Sequence, residues 1–282
     1  MKKIKELKKV YTHAGVFHAD DVFCVALLKN LGFDGKVVRV PRLPDEIEET
    51  AIVIDIGGKY DGERFFDHHQ STAPVRDNGV KYAAFGQLVK SLAIREEKGF
   101  ETFDSQFVCG IDARDNGQRE LSAKYPSPVG DVIKLLNPNW DSKEKANDCF
   151  EKAVELARNI LSLEFERRRS IARSETIMVE ALASAKNGIL LLNTFVPWKD
   201  YIERGDFADI CGDLSRVKAA VFHSRGQYCA FARNGWAFPV EKWGDTLPEG
   251  CLFAHTGGFM VSASHKEEAI DLCKLLVPCE EK

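Results

Sequence analysis

Thr50-Ala51-Ile52-Val53-Ile54-Asp55-Ile56 is a run of β-branched and small residues interrupted by a single carboxylate. It lacks the polar–apolar alternation of a half-exposed strand, so it predicts a strand covered on both faces, as in a parallel sheet flanked by other layers. Asp55 is costly in that setting, because a carboxylate at the end of a buried strand must be compensated. A cation would compensate it; Arg64 and the backbone amides of Gly57 and Gly58 are the competing partners.

Three more short strands are expected nearby, over 9–12, 36–40 and 64–66. The first runs into His13-Ala-Gly-Val-Phe-His18-Ala-Asp20-Asp21, and a helix follows, with Phe23, Leu27, Leu28 and Leu31 at helical spacing before Gly32 stops it. Asp20 or Asp21 suits the N-cap of that helix, and one aspartate can cap while the other ligates. Open α/β sheets bind their ligands at the carboxyl ends of strands, which places His13, His18 and Asp20 as a compact set of donors. The 64–66 strand delivers Asp67-His68-His69. Neighbouring side chains on a strand point to opposite faces, so at the strand end His68 can enter a cleft while Asp67 and His69 flank it. A polar turn with surface histidines is the plainer reading of His-His alone. Against it, four of the seven histidines fall at 13, 18, 68 and 69, each pair beside an aspartate. Three strand ends therefore converge on one candidate metal site.

Downstream, Phe85, Leu88, Val89, Leu92 and Ala93 predict a helix over 82–96, and a second helix over 101–113 leads into Asp112-Ala-Arg114-Asp115-Asn116-Gly117. Asp112 is placed to project toward the cluster, whereas Asp115 reads as a cap or turn residue beside the Asn-Gly signal. Residues 139–187 contain no internal glycine or proline; Asp141 with Glu144 has the form of a capping box, and Asn187-Gly188 forms a stop. The apolar stripe slips register near Glu164, which predicts two helices. Arg167-Arg168-Arg169 and Arg173 read as a solvated face or as the lining of a polyanion groove. Beyond Gly188 the pattern turns to strands (189–195, 217–223, 228–233, 251–254) and a last amphipathic helix over 266–277. Its candidate site features are Trp198 and Lys199, the Arg233-Asn-Gly-Trp236 turn, and His255-Thr-Gly257-Gly258, where a glycine pair lets backbone amides approach a phosphate or simply makes a tight turn.

A net charge of −4 over 282 residues gives no bulk attraction to polyanions, so such binding would come from local basic groups or bound metal. Eight cysteines, none in a Cys-x-x-Cys pair, sit in apolar runs and indicate a reducing compartment rather than a zinc ribbon. The lysine-rich start, 1–10, lacks the features of a secretory or transit segment, and no apolar run is long enough to span a bilayer. The expected location is cytoplasmic, with no membrane partner.

The order His13-x4-His18-x-Asp20, then Asp55 in Val-Ile-Asp-Ile-Gly-Gly, then Asp67-His68-His69, then Asp112-Ala-Arg-Asp-Asn-Gly resembles the melanocyte-proliferating-gene exonuclease family, a branch related to the DHH phosphoesterases. Pro197-Trp198-Lys199-Asp200 and Phe253-Ala-His255-Thr-Gly-Gly-Phe259 resemble its C-terminal part, so the likeness spans nearly the whole chain. In the first motif the spacing is one residue longer than the usual His-x3-Asp-x-Asp of DHH proteins, with His18 at the place of an aspartate; His255 precedes its glycine pair, where Gly-Gly-His is common. The resemblance implies an α/β chain with a parallel-sheet DHH-like catalytic domain (1–140), a linker helix (141–187) and a smaller α+β substrate-binding domain (188–282). It implies 3′-to-5′ trimming of RNA or short oligonucleotides with two divalent cations, Mn2+ first among them. By position, His13, His18 and Asp55 would hold one cation and Asp20, Asp55, His68 and Asp112 the other, with Asp55 bridging.

Imidazole and carboxylate donors without thiolate suit manganese, iron, cobalt or zinc. His69 is then free to bind the scissile phosphate or protonate the leaving oxygen, and Asp67 to orient His68. Arg114, Lys199 and Arg233 are candidates for the non-reacting phosphates, and Trp198 or Trp236 for base stacking. His255, Gly257 and Gly258 complete the candidate substrate contacts. The alternatives are hydrolysis of a small phosphorylated substrate (dinucleotide, cyclic dinucleotide or pyrophosphate) at the same site, and a non-catalytic RNA-binding protein with a structural metal. A homodimer is compatible with each.

Overall fold

The computed structural model describes residues 4–208, 214–244 and 246–279; the first three residues of the N-terminal segment and Cys211 lie outside them. The chain forms two compact units, Met1–Arg168 and Arg169–Lys282.

In the first unit, β1 (Lys9–His13), β2 (Lys36–Val40), β3 (Ala51–Ile54) and β4 (Phe65–Phe66) form one sheet in the order β2-β1-β3-β4. All three pairings are parallel. Every residue of β3 is buried, and the period-two geometry of a strand explains how. Ile52 and Ile54 enter the main core with Val22, Phe23, Leu27 and Leu28 of α1 (Ala19–Asn30) and Phe85 and Leu88 of α2 (Ala84–Ser91). Ala51 and Val53 face the other way, under Val38, Val40, Leu43 and Ile47. The parallel arrangement puts the carboxyl ends of β1, β3 and β4 on one edge, which is where the site lies.

Several expected helices are shorter than their patterns. That over 82–96 ends at Ser91, because Ala93 takes a left-handed φ of 52° and a 3-10 turn follows. That over 101–113 is a π-helical turn, Asp104–Val108, running into α3 (Cys109–Asp115). The capping box at Asp141 does not open a helix; after the short helices α4 (Arg119–Lys124) and α5 (Pro128–Lys134), α6 runs Ala146–Arg173 and α7 Glu175–Ser184. The break falls at Ser174, whose hydroxyl donates to the Ile171 carbonyl at 2.7 Å and competes with the helical ladder. Arg168 corrects the reading of the arginine run as solvated: it is buried, bonded to Glu164, the Gly99 carbonyl and Gln106, and lies against Phe103 and Phe100.

The second unit is a five-stranded sheet, β5-β6-β7-β9-β8, from β5 (Ile189–Leu192), β6 (Ala219–Ser224), β7 (Gln227–Ala232), β8 (Cys251–Ala254) and β9 (Met260–Ala263). β5 and β6 are parallel, the rest antiparallel. Leu190, Ala220 and Phe222 pack with Met178 of α7 and with Trp198 and Tyr201 of the short helix Trp198–Glu203. Ile189, Ala219 and Val221 pack with Ala269 and Leu272 of the last helix, Lys266–Leu272. The chain is thus mixed α/β, with a parallel sheet and a second, mostly antiparallel one. No described helix is long and apolar enough to cross a membrane.

Candidate metal centre

Asp55 immediately follows β3 and adopts a left-handed φ of 55°; aspartate tolerates that conformation better than most residues. Its Oδ2 lies 3.2 Å from His13 Nε2 at the end of β1, and its Oδ1 lies 3.1 Å from His68 Nε2 after β4. One carboxylate thus reaches both histidines. Neither competing partner takes it: Arg64 donates to the Ala51 and Glu48 carbonyls, and Gly58 N–H donates to Asp67.

At the start of α1 the two aspartates divide their roles. Asp21 Oδ1 accepts the His18 backbone N–H at 3.0 Å, as a cap, and its Oδ2 sits 3.3 Å from His13 Nε2. Asp20, wholly buried, accepts the Ala84 N–H with the oxygen that lies 3.8 Å from His68 Nε2. From α3, Asp115 comes within 2.9 Å of His68 Nε2 and 3.4 Å of His18 Nδ1. His13, His18 and Asp55; Asp55, His68 and His69; and His18, Asp20 and Asp115 each form a group able to grip one ion. Of these, His13, His18, Asp55 and His69 line an open cleft of about 350 Å³, together with Pro41, Gly57, Gly58 and Asp67.

The donor set fits a cation. His13 Nε2, Asp20 Oδ1, Asp21 Oδ2, Asp55 Oδ1 and His68 Nε2 are all buried without a well-formed hydrogen bond. Buried polar atoms are rarely left so, and here they converge; their close contacts are badly angled for hydrogen bonds and supply charge instead. Burial works to lower the His13 and His68 pKa values, but facing carboxylates outweigh it: Asp55 and Asp21 lift His13 to about 9, and Asp115 and Asp55 lift His68 to about 10. Burial raises Asp20 well above the usual carboxylate range and, against the pull of His13, raises Asp21 to about 7. For Asp55 burial is overcome by the two histidines, which hold it at about 2.

These shifts predict how the ion-free protein responds to pH. His13 and His68, at 6.5 when unfolded, contribute stability that is full below that value and lost as pH rises through about 9 to 10. Asp20 and Asp21 hold protons in the fold that they release near 3.8 when unfolded, so their contribution also falls with rising pH. With chelator present, the melting temperature should drop between pH 6 and 9. Added Mn2+ should raise it, more so at the higher pH, because ligation needs deprotonated donors. A profile flat in pH and indifferent to Mn2+ would contradict this donor set.

The other expected residues divide. Asp112 does not join the cluster: it is fully buried, with Oδ2 2.7 Å from Arg76 Nη2 and Oδ1 accepting the Gly86 N–H. A Cβ at Gly86 would lie 1.8 Å from Asp112 Oδ2, which is why α2 carries glycine there. Asp115, one helical turn on, stands at the cluster instead. Asp67 orients His69 rather than His68, its Oδ1 lying 2.5 Å from His69 Nδ1; His68 Nδ1 is met by Asn116. Arg114 is exposed and paired with Asp131. In the second unit Trp198 is buried in the core and offers no face for stacking, while burial lowers the pKa of Lys199 beside it. Arg233 donates to the Leu214 carbonyl. The amides of Gly257 and Gly258 are engaged with His255 Nδ1 and the His255 carbonyl, closing a tight turn. Arg76 was not singled out from sequence, Asp21 was weighed with Asp20 as the helix cap, and Asp115 and Asn116 were read as cap or turn residues; the spacing Asp112-x-x-Asp115 on one helix end was the available signal for Asp115.

The profile of an uncharacterised protein family (UPF0160), MYG1_exonuc, matches residues 9–214. The chain is 27% identical to a MYG1 protein of Schizosaccharomyces pombe, over 96% of this chain and 98% of that one. It is 27% identical to the MYG1 exonuclease of Homo sapiens, over 96% and 86%. A MYG1 protein of Chlamydia trachomatis is 34% identical over 46% of this chain and 45% of its own. Crystal structures of RecJ from Thermus thermophilus with Mg2+ and with Mn2+ align over 97% of the chain at 11% and 13% identity, each with a TM-score of 0.28. The chain spans about half the length of those RecJ chains (49% and 52%), and the likeness is too low to bear on fold or chemistry.

Proposed function

Because this chain belongs to the UPF0160 family, in which mammalian relatives carry the name MYG1 exonuclease, we propose that it is a divalent-cation-dependent phosphodiesterase trimming RNA or short oligonucleotides from the 3′ end. The observation that supports this most is that His13, Asp20, Asp21, Asp55 and His68 gather beside the ends of three parallel strands, each with a buried donor atom that lacks a well-formed hydrogen bond. His13, His18 and Asp55 would hold one cation; His68, Asp20 and Asp115, with Asp55 shared, would hold a second, Mn2+ suiting both sets. Such ions supply Lewis-acid stabilisation of phosphoryl charge and a water acidic enough to attack.

The chain's own groups do the rest. Asp55 stays ionised, because its depressed pKa keeps it a carboxylate across the physiological range. His69 is largely exposed, and Asp67 takes its Nδ1, so Nε2 is the ring nitrogen left to protonate a leaving oxygen. Asp67 in turn is fixed by the Gly58 N–H at 2.5 Å. His69→Ala should therefore lower kcat by about 10²- to 10⁴-fold while leaving Mn2+ affinity close to wild type. Parallel loss of bound Mn2+ would make His69 a ligand instead.

End-labelled RNA, single-stranded DNA, a dinucleotide and pyrophosphate, each incubated with the protein and Mn2+, test the reading. Stepwise shortening of RNA from its 3′ end is expected. A cleft of about 350 Å³ lies within the range of small-ligand sites, so cleavage of the dinucleotide or pyrophosphate alone would favour a small phosphorylated substrate. No hydrolysis with Mn2+ bound would overturn both readings.

A further inference from the structure

Asn116, just past α3, touches the cluster without belonging to its donor set. Its Oδ1 lies 3.2 Å from His68 Nδ1, and its Nδ2 lies 2.9 Å from the Asp112 carbonyl and 3.2 Å from the Lys81 carbonyl. Two carbonyl oxygens can only accept, so the amide nitrogen must face them and the amide oxygen must face the imidazole. An oxygen facing Nδ1 in turn requires the hydrogen to sit on Nδ1. With Nδ1 so engaged, Nε2 is the ring nitrogen that faces Asp55 Oδ1 and Asp115 Oδ2, 3.1 and 2.9 Å away. In the ion-free protein it carries the imidazolium's second proton toward them, and a cation held there would take the place of that proton on the Nε2 lone pair. The Asp112 main chain is itself anchored, because its side chain is locked by Arg76 and the Gly86 N–H.

We propose that Asn116 is the positioning residue of the metal centre: it fixes His68 as the Nδ1–H tautomer and so presents Nε2 as a ligand. This rests on the metal-centre reading above. A hydrogen-bonded partner behind a ligating histidine holds ring orientation and tautomer, and losing it typically weakens metal affinity about 10- to 100-fold.

The test compares wild type, Asn116→Leu and Asn116→Asp, with folding checked by circular dichroism. Mn2+ affinity is read from the resonance of free Mn2+, and the His68 ring nitrogens by NMR of the Zn2+-loaded proteins. Asn116→Leu should weaken Mn2+ binding about 10- to 100-fold and lose the Nδ1–H signature of His68. Asn116→Asp keeps the acceptor toward Nδ1 but loses the two donors to the Asp112 and Lys81 carbonyls, so it should retain that signature and lose less affinity than Asn116→Leu. Unchanged affinity and signature in Asn116→Leu would overturn the proposal, as would equal weakening in both variants with the signature intact. Absence of Mn2+ binding by wild type would instead remove the metal-centre reading itself.

Discussion

Asp55→Asn should lower turnover about 10³-fold or more, the equivalent of several kcal/mol of charge stabilisation, in a protein that still folds. Among the described residues, Asp55 is the one side chain within 3.2 Å of both His13 and His68, and the two histidines hold it ionised despite its burial. Asparagine has nearly the same shape and accepts the left-handed backbone at this position, so the turn after β3 should persist. What it lacks is the negative charge that would draw two cations to one bridge. Removing that charge also takes away a principal reason why His13 and His68 hold protons so firmly, and both should titrate closer to their ordinary value. The measurements are turnover on the RNA substrate, bound Mn2+ per chain, and the thermal transition. Wild-type turnover with the full complement of Mn2+ would show that Asp55 does not bridge.

Asp55 was legible because of its surroundings: a carboxylate ending a fully apolar run advertises a compensated charge, and β3 is buried on both faces as that run implies. The strand ends bearing His13 and His68 were legible from four histidines gathered in two pairs, each beside an aspartate. The placement of Asp112 is instructive. Both Asp112 and Asp115 sit on α3, and choosing between them requires knowing that the helix runs to Asp115 and that Arg76 waits beside the earlier residue. Nothing local to either aspartate carries that information, since Arg76 comes from a loop far back in the chain. The buried Arg168 was misread in the same way: a run of arginines has one texture whether it faces water or fills a cavity lined by phenylalanines. Trp198 fits core and binding surface equally well until its neighbours are known.

Arg76→Leu should cost about 3–5 kcal/mol of stability, the usual penalty for stranding a buried charge. Arg76 grips Asp104 with two bonds, Nε to Oδ2 at 2.7 Å and Nη2 to Oδ1 at 2.6 Å, and shares Nη2 with Asp112; the Tyr82 ring lies 3.8 Å from its guanidinium carbon. Leucine fills part of the volume and leaves two carboxylates facing each other. Burial already raises Asp112 to about 7 against the restraining charge of Arg76; without that cation its pKa rises further. The folded variant then holds a proton that the unfolded chain releases near 3.8, so stability is lost as pH rises, and the deficit should be larger at pH 8 than at pH 5. Asp112→Asn in the same chain keeps an acceptor for the Gly86 N–H, removes one stranded charge, and should restore part of the loss. Denaturant titrations of the two single variants and the double variant at both pH values measure the coupling. A loss below about 1 kcal/mol, the range of a surface pair, with no recovery in the double variant, would mean that the triad does not brace α3. If it does brace α3, the helix that carries Asp115 and Asn116 should loosen in Arg76→Leu, and Mn2+ affinity should fall with stability although Arg76 touches no donor atom.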